Sequence, residues 1–97
     1  MIGATITAIP FGVVDPKGRT VGACIYRWHG ARYEGDRMPE GKPWGAEFRA
    51  VRGDAPFGAC QPDHWFATTA EREAAIEKYL TAARKRALKS FHGKVST

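Results

Sequence analysis

The sequence predicts an α+β domain in which an antiparallel sheet of three to four strands is packed by one long C-terminal helix, in the order β-β-β-α. Three observations lead there. Two runs rich in β-branched residues, "ATITAIPFGVV" at 4–14 and "RTVGACIYRWH" at 19–29, flank the turn-forming "DPKG". "WGAEFRAVR" at 44–52 alternates with the period of a half-buried strand. "WFATTAEREAAIEKYLTAARKRALKSFHGK" at 65–94 carries an apolar stripe between acids at its start and bases at its end.

The first two runs make a hairpin. Asp15 opens its turn, Pro16 presets φ, and Gly18 tolerates a left-handed exit. Pro10 cannot donate to a ladder, so the first strand belongs at a sheet edge or carries a bulge. "ARYE" at 31–34 reads as a continuation of the second strand past Gly30, and 35–43 reads as a loop. In the third strand Trp44, Ala46, Phe48 and Ala50 share one face, while Glu47, Arg49 and Val51 share the other. Residues 53–63 read as irregular, followed by a brief extended piece, "HWFA".

The helix spans about 68–91. Thr68 and Glu71 have the spacing of a capping box. Ile76, Leu80, Ala83, Ala87 and Phe91 form the stripe, with Tyr79 at its edge, and Gly93 is a stop signal. Small Ala83 and Ala87 permit a close approach to the sheet.

Ninety-seven residues, 43% of them hydrophobic, suit a single domain, 1–97. The uncharged N-terminal run 1–14 is broken by Pro10 and two glycines, too short to span a bilayer and without the pattern of a secretory leader. With only two cysteines there is no disulfide framework, and a cytoplasmic setting without membrane association is expected.

The net charge of +5 is unevenly placed. Up to Glu77 there are nine Lys and Arg against ten Asp and Glu; from Lys78 to Thr97 there are six bases and no acid. Lys78, Lys85 and Lys89 lie opposite the apolar stripe at 100° per residue, and Lys94 and His92 extend this basic end beyond the helix. Arg27, Arg32, Arg49 and Arg52 interleave with Tyr and Trp on the strands, where guanidinium groups and rings serve phosphate contact and base stacking. Together these four arginines and the four lysines, Lys78, Lys85, Lys89 and Lys94, form the expected nucleic-acid contacts, DNA being favoured, in a small non-enzymatic binding domain. The alternative is a protein-interaction module or small regulator or inhibitor acting as a homodimer, paired through the strand edge at 4–14 or the apolar "APFGAC" loop.

"WGAEFR" at 44–49 and "FATTAEREAA" at 66–75 resemble the signature of plant ethylene-response-factor DNA-binding domains and their mobile-element relatives, which have a W-x-A-E-I-R strand and an F-x-T-x-E-x-A-A helix start. The resemblance covers about half of the chain. It implies a three-stranded sheet plus one helix, with the sheet entering the major groove and Trp44, Glu47 and Arg49 on the reading strand. It also implies that Ala46 and Phe48 pack against Ala75 and Tyr79, and that the context is a mobile element or phage-like. The neutral first strand and the long 53–63 segment depart from that family's pattern.

No catalytic, cofactor or metal site is expected. Cys24, His29, Cys60 and His64 nominally total four zinc ligands, yet Cys24 and His29 are an odd number apart and point to opposite faces of a straight strand. Cys60 and His64 beside Asp63 could form a nucleophile pair, but no third orienting group accompanies them. "GVVDPKGRT" lacks phosphate-loop spacing.

Overall fold

The computed structural model describes residues 4–53, 55–56 and 63–91. Strands β1 (Thr5–Val14), β2 (Thr20–His29) and β3 (Trp44–Arg52) form an antiparallel meander. Two short strands, β4 (Ala55–Pro56) and β5 (His64–Phe66), both pair with β3, leaving β1 at the opposite edge. Helix α1 (Thr69–Ser90) covers one face. This is the α+β architecture expected from the sequence.

Local chemistry explains the turns. Asp15 is buried at the hairpin, where its carboxylate accepts from the backbone N–H groups of Lys17 (2.9 Å) and Arg19 (2.7 Å) and from Arg19 Nε (2.7 Å). Gly18 takes φ 77° beside it, a conformation open to glycine. In β1 the register shifts between Pro10 and Val13, so the proline sits at an edge strand and at a bulge together. The residues 31–34 do not continue β2. Gly30 turns the chain at φ 77°, and Arg32 folds back onto Asp36 through its own N–H (2.9 Å) and Nε (3.0 Å). The pairing energy of that ion pair and turn outweighs the strand propensity of a four-residue run. Ala55–Pro56 is the second departure, a two-residue pairing inside a segment read as irregular.

The helix is capped as its spacing predicts, with one change. Thr68 Oγ1 accepts from the N–H of Glu71 at 3.1 Å, but the returning Glu71 carboxylate accepts from Ala67, not Thr68. At the other end the N–H of Phe91 bonds the Ala87 carbonyl; Gly93 lies outside the described residues.

The core lies between α1 and the sheet. Val13, Val21, Ala23, Ile25, Ala46 and Phe48 meet Ile76, Ala83, Ala87 and Phe91. Phe48 stacks between Tyr79 and His64, each ring centroid 4.7 Å away. Burying side chains such as Ile25 and Ile76 contributes about 1.5–3 kcal/mol each. The opposite face holds a second contact: Trp28 lies across Gly45, its register partner on β3, and meets Trp65 edge-on at 5.5 Å.

Two stability effects follow. Ile76→Ala is expected to destabilise the domain by about 2–5 kcal/mol, read from the urea midpoint, because α1 loses its largest buried side chain. Gly45→Ala is expected to cost about 1–3 kcal/mol by forcing a Cβ into the Trp28 indole; no loss in the same assay would mean that Trp28 swings away freely.

Candidate nucleic-acid interface

The antiparallel registers sort the expected contact residues onto faces. Arg27 stands opposite Ala46 and Thr5 and therefore shares the helix-facing side with Ile25. There it grips Glu73 of α1 with Nε and Nη2, at 3.1 and 2.9 Å to the two carboxylate oxygens, and donates from Nη1 to Thr7 Oγ1 at 3.0 Å. Arg72 adds a further bond to Glu73 at 3.0 Å. These guanidinium groups, Arg27 first, hold the Glu73 carboxyl below its ordinary range. Arg27 is a strap between sheet and helix, not a group on the open face.

Arg32 sits at the end of the open face. Its guanidinium lies 3.9 Å from the centroid of the Trp28 ring and is held by Asp36 and Asp63. The hydrogen bonds to Asp36 raise the affinity of Arg32 for its proton, and the same contacts depress the Asp36 carboxyl. Arg49 projects from β3 to the open face, pairs with Glu47 and lies 5.2 Å from the Tyr26 ring centroid. Arg52 stands 3.6 Å from the buried Asp15 carboxylate. That carboxyl is disfavoured as an anion by burial, yet its net shift is downward because Arg19 supplies hydrogen bonds and charge.

Arg27, Arg32, Arg49 and Arg52 thus each have a carboxylate partner inside the chain, and two of them cover aromatic faces. Trp28 is 3% exposed under Arg32, so it offers no ring to a base. Trp44 is directed to the helix side, against His29 at 4.4 Å and Arg72 at 5.3 Å, while Glu47 and Arg49 occupy the other side of the same strand. The residue set that a reading strand requires is split by the period of two. The alternation of β3 already placed them so in the sequence; which face the helix covers was not readable there. The Arg32–Asp36 spacing of four was a readable hint; the reach of Asp63 and the Trp28–Gly45 register were not.

The helix behaves differently. Lys78, Lys85 and Lys89 are exposed, with no ion pair among the described residues, and exposed Arg86 stands with them. Lys78 to Lys89 spans about 16 Å along the axis at 1.5 Å per residue. Cations in the last turns also complement the helix dipole. Lys94 lies outside the described residues.

Among the described residues no group of three or more His, Cys, Asp or Glu side chains is gathered so as to hold a metal ion, and Cys60 lies outside them. Cys24 and His29 do face opposite sides of β2. No helix among the described residues is long and apolar enough to cross a membrane.

The ion pairs imply a pH dependence of defined sign. Asp36 and Glu73 are depressed in the folded state, so their stabilisation is full above the unfolded carboxyl values near 4 and is lost as pH falls through the folded ones. Asp36→Asn is expected to lower the urea midpoint at pH 7, with a gap to the parent that shrinks as pH drops below about 4. A gap constant from pH 7 to pH 2 would assign the loss to packing instead. No family model, curated protein or solved structure significantly matches the chain, so the arrangement stands by itself: a sheet whose arginines are satisfied internally, and a helix whose lysines are not.

Proposed function

We propose that the protein binds nucleic acid, DNA favoured, by phosphate contacts from the basic outer face of α1, in a cytoplasmic setting. The observation that carries this reading is the run of exposed, uncompensated cations at Lys78, Lys85, Arg86 and Lys89, downstream of which the sequence has no acid. Phosphate contacts confer affinity and salt dependence without sequence preference. The sheet contributes differently from the first expectation. Arg27, Arg32, Arg49 and Arg52 hold the scaffold in this reading, since recruiting them would strip a carboxylate of its partner. Lys94 is retained as an extension of the basic end.

A second reading, a homodimer acting as an interaction module, draws support from Ile6. This residue is 60% exposed on the open sheet face, near Ala8, Cys24 and Tyr26. It predicts a concentration-dependent mass in light scattering that is insensitive to salt and to nuclease treatment.

Fluorescence anisotropy with a labelled duplex tests the first reading. Binding is expected in the range of about 10⁻⁴ to 10⁻⁶ M near physiological salt, tightening steeply as salt is lowered. Replacing Lys78, Lys85 and Lys89 by Gln is expected to reduce the slope of log K against log salt by about 3. Arg49→Gln is expected to leave the slope in place. No binding at low salt, or a slope that the three substitutions do not change, would overturn the proposal.

A further inference from the structure

A groove of about 600 Å³ opens between the edge strand β1 and the flank of α1. Ile9, Phe11, Leu80 and Leu88 form most of its lining, and Thr81, Arg84 and Lys85 give it a polar side. That volume lies within the range of small-molecule sites, about 300–1,000 Å³. Phe11 is buried, whereas Ile9, Leu80 and Leu88 are each half-buried, so apolar surface is left facing the groove.

Two features decide what fits there. The β1 edge is closed to an added strand at this point. Pro10 has no N–H to offer, the bulge shifts the register, and the Phe11 carbonyl already accepts from Arg84 Nε at 3.3 Å. A peptide extending the sheet would find no regular ladder. The same Arg84 bond anchors the guanidinium at the rim by its Nε. It leaves both terminal nitrogens, which make no hydrogen bond among the described residues, as donors. Lys85 adjoins it on the helix, and Glu77, the acid on the rim, stands about 10 Å back along the axis. An apolar floor with a cationic fork on its rim, between Leu80 and Leu88 along the helix, is complementary to a molecule with an aliphatic part and an anionic head.

We infer that this groove is a binding site for an amphiphilic anion, a medium-chain carboxylate or alkyl phosphate, with its head on Arg84 and Lys85 and its tail along Ile9, Leu80 and Leu88. Planar recognition of an oxyanion by guanidinium favours this orientation. Lys85 belongs also to the phosphate-binding face proposed for α1, whereas Arg84 and the apolar lining do not, so Arg84→Gln tests this site apart from that face.

The test uses the full chain freed of nucleic acid by nuclease and high salt. Isothermal titration is run with octanoate, decanoate, dodecanoate and dodecyl phosphate, with acetate and dodecyltrimethylammonium as comparisons. Affinity is expected to rise about fourfold per added methylene until the groove is filled, with acetate and the cationic amphiphile far weaker. Arg84→Gln is expected to weaken dodecanoate about tenfold or more. Leu88→Gln should flatten the dependence on chain length while a thermal melt confirms folding. Amide shifts in an NMR titration should cluster at 9–11 and 80–88. A preference for carboxylate over phosphate, or the reverse, identifies the head group. Equal binding of the cationic amphiphile, no binding of any anion, shifts confined to the open sheet face, or a dimer that buries the groove in light scattering would each overturn the assignment.

Discussion

The fold depends on one seam, the apolar contact between α1 and the face of β2 and β3 beneath it. Ile76, Ala83 and Ala87 come down on Val21, Ala23, Ile25 and Phe48, and the two alanines set how closely the helix lies. A twenty-two-residue helix with so polar an outer surface gains little from propensity alone; packing of its inner stripe holds it. The antiparallel meander in turn has a water-free face only because the helix supplies one. Phe48, stacked between Tyr79 and His64, joins helix, central strand and the short β5 into the same contact.

Charge is distributed by the same geometry. Four arginines outside the helix each find a carboxylate: Arg27 on Glu73, Arg32 on Asp36 and Asp63, Arg49 on Glu47, Arg52 on Asp15. Individually such pairs add little where they are exposed. Their position matters more, because Arg27 ties sheet to helix and Arg32 shields the Trp28 ring. Acids and bases are nearly balanced up to Glu77, so internal pairing is available there; beyond it no acid follows, and the helix face keeps its charge. The second half of α1 therefore presents Lys78, Lys85, Arg86 and Lys89 exposed and without an ion pair among the described residues.

The β1 edge shows how one element limits the partners of another. Pro10, the bulge and the Arg84 bond to Phe11 interrupt this edge around residues 10–13, a recurrent way of blunting an unpaired edge. The same Arg84 bond stations a guanidinium above an apolar trough. Strand protection and the character of the groove therefore have a common origin in one side chain reaching across from the helix.

Hydrophobic period and turn chemistry, read along the chain, already determined the meander, the Asp15 hairpin, the cap at Thr68 and the inner stripe of α1, because each depends on neighbours within a few residues. The lysine face was legible for the same reason: a helix fixes the angular position of every residue once its axis is known. The arginines were not. Whether Arg27 meets solvent or Glu73 is decided by which strand face the helix covers, and Glu73 is forty-six residues away. Likewise Trp28 lies flat on β3 because Gly45 is its register partner, and the "ARYE" run leaves the sheet because Asp36 and Asp63 capture Arg32. Pairing across strands and between layers is a non-local choice with small energy differences, so only the tertiary structure decided which charges are paired within the chain and which stay exposed.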